Sequence, residues 1–292
     1  MAERARPLAG ALAALLVILT AVHLHRGGRD TSDDDAWALL RDARLTDLRG
    51  RGRATEVVVL GSSVLRSALP LHDSLQRVVD RSGLKHAGVS RMIRCKGDWE
   101  LLEEVVWLRD QGVDVVIIES TRLFYQWPDA PAGYELSQDA RYFRRLVNDG
   151  LGLSVTDPAL EEGAASMLRC ANRPVANRIL LDDDYREKLT RRREESFLGD
   201  RAVEPLLAEV TDDLRLIITD TRWRDPRMPL PAAHLAVMDE ALERLNAAPN
   251  VEVWRCPLTF EAREFQNMDH MNELGRDRYT PWFTARLVQA LR

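Results

Sequence analysis

Two serines and a histidine are the residues of this chain whose types and setting suggest chemistry. Ser62 and Ser63 directly follow the hydrophobic run VVVLG at 57–61, and His270 lies near the end of the chain in NMDHMNELG at 267–275. A serine hydroxyl is a weak nucleophile until a base removes its proton, and histidine is the commonest base. The two segments predict acyl-transfer chemistry if the fold brings them together. The alternative is a polar turn in which Ser63 only caps a helix and His270 only packs beside one.

The elements that would position these residues are short β-branched runs alternating with segments of helical period. This alternation predicts βα units around a parallel sheet. The predicted strands are 57–60, 85–90, 113–119, 214–220 and 251–256, and the predicted helices are about 36–47, 71–81, 98–111, 232–247 and 273–291. Ligands of an open parallel sheet bind beyond the carboxyl ends of its strands, so the loops after the strands are where a site is expected.

Three regions divide the chain. Residues 1–29 read as a membrane anchor or signal segment, 30–54 as a solvated linker with a first helix, and 55–292 as one α/β domain with five strands. The part from about 123 to 213 breaks the alternation and contains several prolines, so we expect a helical insertion there.

The amino terminus carries the location signal. After Arg4 and Arg6, an uncharged run at 7–24 would form a helix about 27 Å long, near the thickness of the bilayer's hydrocarbon core. A cleaved signal peptide is the alternative, but no small-x-small cleavage site follows the run. We therefore expect a transmembrane helix that anchors the chain, with the rest on the outer side of the membrane.

Composition excludes several classes of protein. A net charge of -5 gives no basic footprint for nucleic acid. Cys95, Cys170 and Cys256 lie far apart without a CxxC pair, which indicates neither a zinc site nor a disulfide framework; one disulfide plus a thiol, or three buried thiols, both stay open. The acidic runs at 33–35 and 182–184 are expected to be solvated surface and not a metal site.

The order of these segments resembles the SGNH (GDSL-like) hydrolases, in particular their membrane-anchored members that esterify cell-envelope polymers. The resemblance implies a three-layer, flavodoxin-like fold with a central parallel five-stranded sheet. Matching VVVLGSS to the first family block makes Ser63 the nucleophile, and HAGVS makes the N–H of Gly88 an oxyanion donor. The last block, at 267–275, makes His270 the base.

Two positions depart from the family pattern. The family has an acid three residues before the histidine, where this chain has Asn267; Asp269, directly before His270, is an awkward substitute, and a Ser-His dyad is the third option. The asparagine of the third block is also absent from ESTRLF. The residues there that could donate to an oxyanion, or bind a substrate anion through the guanidinium, are Ser120, Thr121 and Arg122.

The function that the resemblance implies is a serine esterase or O-acyltransferase acting on an envelope glycan or lipid-linked polymer, with a membrane-bound acyltransferase as a candidate partner. It requires no cofactor. The alternative is a protein that keeps the fold without the chemistry, as a binding or assembly component of a polysaccharide machine. Nucleotide binding at the GSS turn is disfavoured, because the turn has neither GxGxxG nor a P-loop lysine.

Overall fold

The computed structural model describes residues 32–70, 72–94, 101–126, 187, 190–191, 193–266 and 269–292. Two compact units are distinguished, Met1–Ala38 with Asp129–Ala165, and Leu39–Pro128 with Ser166–Arg292. Of the first unit only 32–38 is described, while the second contains the whole sheet. No helix among the described residues is long and apolar enough to cross a membrane, and the predicted anchor at 7–24 lies outside them.

Five strands and eight α-helices make up the described structure. The strands are β1 Thr55–Gly61, β2 Ala87–Ile93, β3 Val115–Glu119, β4 Arg215–Thr219 and β5 Val251–Trp254. The helices are α1 Ser32–Gly50, α2 Ser63–Ala68, α3 His72–Arg81, α4 Leu101–Asp110, α5 Ser120–Phe124, α6 Val203–Glu209, α7 Ala232–Asn246 and α8 Glu273–Ala290, with a 3-10 turn at Ala262–Glu264.

All five strands are parallel, in the order β2-β1-β3-β4-β5. The predicted α/β class with a central five-stranded parallel sheet is therefore confirmed. Every residue of the run Val57–Leu60 in β1 is fully buried, as expected for a parallel strand covered on both faces. Odd and even residues point to opposite faces: Val57 and Val59 join the core cluster that contains Tyr279 and Phe283 of α8.

Helix α2 begins directly after β1 because Gly61 permits a close approach. A Cβ atom at Gly61 would lie 2.7 Å from Cδ2 and 2.8 Å from Cβ of Leu65, so no other residue fits without displacing the helix. Ser62 is the N-cap, and its side chain accepts a hydrogen bond from the N–H of Val64 at 3.2 Å. The cap role that the sequence left open between the two serines thus falls to Ser62.

The element bounds differ from the predicted ones mainly at β2. This strand begins at Ala87 and continues to Ile93, whereas the sequence indicated a strand at 85–90 followed by a loop. The first helix is also longer than predicted, because α1 includes the residues from Ser32 that were expected in the linker. Most of the predicted insertion at 123–213 lies outside the described residues; its described part contains α6.

Candidate active site

Ser63, His270 and Asp269 form a continuous hydrogen-bonded line at the carboxyl end of β1. His270 Nε2 lies 2.8 Å from Ser63 Oγ, and His270 Nδ1 lies 2.7 Å from Asp269 Oδ1. The His270 side chain is 18 % exposed and that of Asp269 only 8 %, so the line runs from a solvent-accessible hydroxyl to a buried carboxylate. These are the distances and the order of a nucleophile, a base and an acid that orients the base.

Ser63 owes its position to the first turn of α2. The N–H of Val64 is taken by Ser62 Oγ, and the N–H of Leu65 donates to Glu119 Oε2 at 3.0 Å. The N–H of Ser63 itself has no acceptor among the residues that the structure describes. It is therefore a donor available to an oxyanion that forms on a carbonyl attacked by Ser63 Oγ.

The loop that carries His270 is fastened to the same helix. Ser67, one turn after Ser63, accepts a hydrogen bond at 3.0 Å from the N–H of Met271. The loop is closed by a bridge between Phe265 and Met271, and the N–H of Gln266 donates to the carbonyl of His270 at 2.9 Å. Ser63 and the loop that carries His270 are thus held by the same short helix, α2. Sequence reasoning missed Ser67, although its spacing of four residues from Ser63 puts both on one helix face.

Asn272 fixes the other end of this loop. Its side chain is the N-cap of α8 and accepts from the N–H groups of Leu274 and Gly275 at 2.9 and 3.3 Å. Its amide also donates to the carbonyl of Arg263 at 2.6 Å. This cap explains the asparagine and the glycine of NELG at 272–275, and it starts the last helix two residues after His270.

Asp269 is the acid that this structure supplies. Burial by itself would raise the pKa of its carboxyl, but the charge and hydrogen bond of His270, with the charges of Arg224 and Arg193, hold that pKa below its usual range. Asp269 is therefore ionised at neutral pH and can stabilise an imidazolium at His270. Its main-chain carbonyl accepts from the indole N–H of Trp223 at 3.2 Å.

The loop allows the side chain of Asp269 to contact the ring of His270, although the two residues are neighbours in the sequence. Neighbouring side chains diverge in an extended chain, but the bridge between Phe265 and Met271 bends the chain around His270. Asn267, the other predicted partner of the histidine, lies outside the described residues. Trp223 is 9 % exposed and packs edge-on against Tyr279 with ring centroids 4.4 Å apart.

Glu119 occupies the carboxyl end of β3, next to the nucleophile helix. It is fully buried, and burial raises the pKa of its carboxyl. One oxygen accepts from Leu65 N–H, while Oε1 has no hydrogen-bond partner of normal geometry. The carboxyl positions α2 in this way. No sequence signal indicated this role beyond an acid at a strand end.

The hydroxyls of Ser120 and Thr121 are bonded to the loop after β4. Ser120 Oγ accepts from the N–H of Thr221 at 2.9 Å, and Thr121 Oγ1 donates to the carbonyl of Thr221 at 3.0 Å. Both residues are buried, so their described contacts give them a structural role. Arg122 is partly exposed, and its charge acts on the carboxyl of Glu119.

The placement predicted for Gly88 is wrong. Gly88 is the second residue of β2 and pairs with Glu56, whereas Gly61, at the site end of β1, pairs with Ile93. Five residues of strand separate the two positions, or roughly 16 Å. The N–H of Gly88 therefore lies toward the opposite end of the sheet from Ser63. The end of β2 on the side of Ser63 is followed by Arg94, and the next residues, 95–100, lie outside the described part.

Other chemistry finds little support in the described residues. They contain no group of histidine, cysteine and acidic side chains that could hold a metal ion. Cys256 is a free thiol, and burial raises its pKa to about 11; Cys95 and Cys170 lie outside the described part. No family model, curated protein or solved structure matches the chain. Its function is therefore inferred from the geometry of the site and from its residue pattern.

Proposed function

We propose that this chain is an SGNH-type serine esterase or O-acyltransferase with Ser63 as nucleophile, His270 as base and Asp269 as the acid that orients the base. The observation that carries the proposal is the unbroken line of two hydrogen bonds, 2.8 Å from Ser63 Oγ to His270 Nε2 and 2.7 Å from His270 Nδ1 to Asp269 Oδ1. Packing or capping alone would not require a buried carboxylate, an imidazole and an accessible hydroxyl to lie in this order.

The reaction would proceed through an acyl-serine. Ser63 Oγ attacks the acyl carbonyl while its proton passes to His270 Nε2, and the oxyanion that forms is bound by the N–H of Ser63. His270 then gives the proton to the leaving alcohol as the ester bond breaks. Water or an acceptor hydroxyl next delivers a proton to His270 and attacks the acyl-serine, and His270 returns that proton to Ser63 Oγ as the bond to the acyl group breaks. The two outcomes, hydrolysis and transfer, differ only in which hydroxyl arrives.

The fold supports this class of enzyme. The strand order 2-1-3-4-5 is that of doubly wound, flavodoxin-like sheets, which bind ligands where the order reverses, between β1 and β3. Ser63 follows β1 at this point, and Glu119 ends β3 beside it. We further propose, from the resemblance and the run at 7–24, a membrane-anchored enzyme outside the cytoplasm that acts on an envelope glycan or lipid-linked polymer, alongside a membrane-bound acyltransferase.

A non-catalytic binding component is the second candidate, and one observation favours it. Among the described residues, the N–H of Ser63 is the only oxyanion donor that we can place, since Gly88 lies toward the far end of the sheet and Ser120 and Thr121 are bonded to Thr221. A single donor stabilises an oxyanion less than two do. The binding candidate keeps the fold and predicts no covalent chemistry at Ser63.

A fluorophosphonate probe separates the two candidates, because it labels only a serine activated by a base. We expect the full-length chain to be labelled, Ser63→Ala to lose the label and Ser62→Ala to keep it. Ser82→Ala, which removes an exposed hydroxyl at the end of α3, is the matched control. Labelling absent from the wild type, or unchanged in Ser63→Ala, would rule out the esterase. Release of acetate from p-nitrophenyl acetate should follow the same pattern.

A further inference from the structure

The loop after β4, DTRWRDPR at 220–227, contains three arginines, and Arg224 differs from the other two in its contacts with carboxylates. Arg222 forms a two-pronged ion pair with Asp220, two residues before it, at 2.9 Å for each contact. Arg227 pairs in the same way with Asp225, again two residues before it. Arg224 has no carboxylate within ion-pair distance among the residues that the structure describes.

The guanidinium of Arg224 is held by one of its nitrogen atoms only. Nη1 donates to the carbonyls of Trp223 at 2.6 Å and Thr221 at 3.4 Å. Nε is buried without a hydrogen-bond partner, and Nη2 has none among the described residues. The Nε–Nη2 edge is the fork that binds carboxylate or phosphate with two parallel hydrogen bonds. The backbone therefore fixes the plane of the guanidinium and leaves its anion-binding edge unused.

Arg224 lies near Asp269, the end of the proposed catalytic line that is farther from Ser63. Trp223, whose carbonyl holds Arg224, donates its indole N–H to the carbonyl of Asp269, and the charge of Arg224 lowers the pKa of Asp269. Arg193, which is 4 % exposed, adds a second positive charge that acts on the same carboxyl. When His270 accepts the proton of Ser63, its imidazolium adds a third positive charge near Asp269. An anion bound at Arg224 would offset that charge in the transition state.

We propose that Arg224 binds an anionic group of the substrate, a carboxylate or a phosphate, at the Asp269 end of the line that runs from Ser63 through His270. That the anion belongs to a substrate rests on the proposed function, but the binding of an anion at Arg224 does not require turnover. The proposal restricts the substrate to a polymer or acceptor that carries a carboxylate or a phosphate close to its ester. A neutral polymer would leave the buried Nε of Arg224 without a partner, and an unpaired buried donor is costly.

The test measures binding without chemistry. The full-length Ser63→Ala chain is titrated calorimetrically with glucose, glucuronate and glucose 6-phosphate, three sugars that differ at one position. We expect glucuronate or glucose 6-phosphate to bind about tenfold more tightly than glucose, the gain of one charge-assisted contact. Which of the two binds more tightly distinguishes carboxylate from phosphate. The preference should disappear when Arg224→Gln is added.

Arg263→Gln is the matched control, because it removes an exposed arginine whose ion pair with Glu261 is also exposed. It should leave the preference for the anionic sugar intact. Equal or undetectable binding of all three sugars, or a preference that survives Arg224→Gln, would overturn the proposal. In the active chain, Arg224→Gln should lower kcat/KM for O-acetylglucuronate relative to O-acetylglucose. An equal loss for both esters would also overturn it, since Arg224 would then act only through Asp269.

The two proposals fail separately. If the unmodified chain releases acetate from no ester, the esterase proposal fails, while the sugar titration of Ser63→Ala still reports on the anion site. If acetate is released equally from neutral and charged sugars and binding shows no preference, the anion site fails and the esterase stands.

Discussion

Replacing Asp269 by asparagine tests whether the line of three side chains is used in catalysis. Asparagine has nearly the same shape, so the loop should stay folded, but it carries no charge to stabilise the imidazolium of His270. Charge centres about 4 Å apart in a protein interact by about 4 kcal/mol at an effective dielectric constant of 20. With a factor of ten for each 1.36 kcal/mol, kcat should fall about a thousandfold.

A second effect acts in the same direction. If the amide nitrogen of the asparagine faces His270 Nδ1, it donates a hydrogen bond to that atom, which then carries no hydrogen, so that the neutral ring has its hydrogen on Nε2. His270 could then no longer accept the proton of Ser63, and a loss of about ten thousandfold would result. The expected range for Asp269→Asn is therefore a thousandfold to ten thousandfold.

The assay is release of acetate from p-nitrophenyl acetate, measured with the thermal midpoint of each variant, so that lost activity is not confused with lost folding. Asp277→Asn, on the exposed side of α8, is the matched control and should keep full activity. If Asp269→Asn retains activity within about threefold while Ser63→Ala abolishes it, the carboxylate is not part of the mechanism. The site would then work as a Ser-His dyad, or with Asn267 as the partner of the histidine.

Three further predictions concern the elements that hold the site. Ser62→Ala removes the cap of α2 and should lower the free energy of unfolding by about 1 kcal/mol in urea titrations; no change would refute the cap role. Because the pKa of Glu119 is raised in the folded chain, its carboxyl keeps a proton at a pH where the unfolded chain has already lost it. The contribution of Glu119 to stability is therefore full at low pH and is lost as the pH rises through the pKa of the folded state. The wild type should therefore lose stability relative to Glu119→Gln as the pH rises above the usual pKa range of a glutamate, and a constant difference would contradict this. Gly275→Ala places a Cβ 2.6 Å from the carbonyl oxygen of Glu264 and should cost about 1–3 kcal/mol, whereas Gly50→Ala, with nothing within 4 Å, should be nearly neutral; similar unfolding curves for the two would refute the clash.

The sheet could be predicted from the sequence because its signal is local. The runs VVVL and LRLIIT are β-branched and uninterrupted, as buried parallel strands are, and their ends differ from the predicted ends by only one or two residues. Since parallel strands end at one edge, the strand pattern also indicated where Ser63 would lie. The same reasoning located His270, which follows the last strand.

The misplacement of Gly88 has a tertiary cause. The carboxyl half of β2 contains Ser90, the last residue of the predicted strand, and Arg91, which was expected in the loop, yet both are buried. Arg91 is accommodated because its guanidinium donates to the carbonyls of Pro70 and Leu69 at 2.6 and 3.3 Å. A polar strand of this kind depends on partners far away in the chain, which local pattern cannot show. The strand therefore ends five residues beyond the glycine that resembled an oxyanion donor.

The chain departs from the family pattern in its third block and in the position of its acid, and the structure connects these two departures. Where the resemblance implied an oxyanion donor after β3, Thr121 instead bonds to Thr221 on the loop after β4. Two residues further along that loop, Trp223 holds the main chain of Asp269. The loop after β4 is thus bonded to Thr121 through Thr221, and through Trp223 it is bonded to Asp269. An acid directly before the histidine needs such support, because its backbone must bend to bring the carboxylate to the ring. In this chain the segment after β3 therefore helps to position Asp269, by contacts that neither segment shows alone.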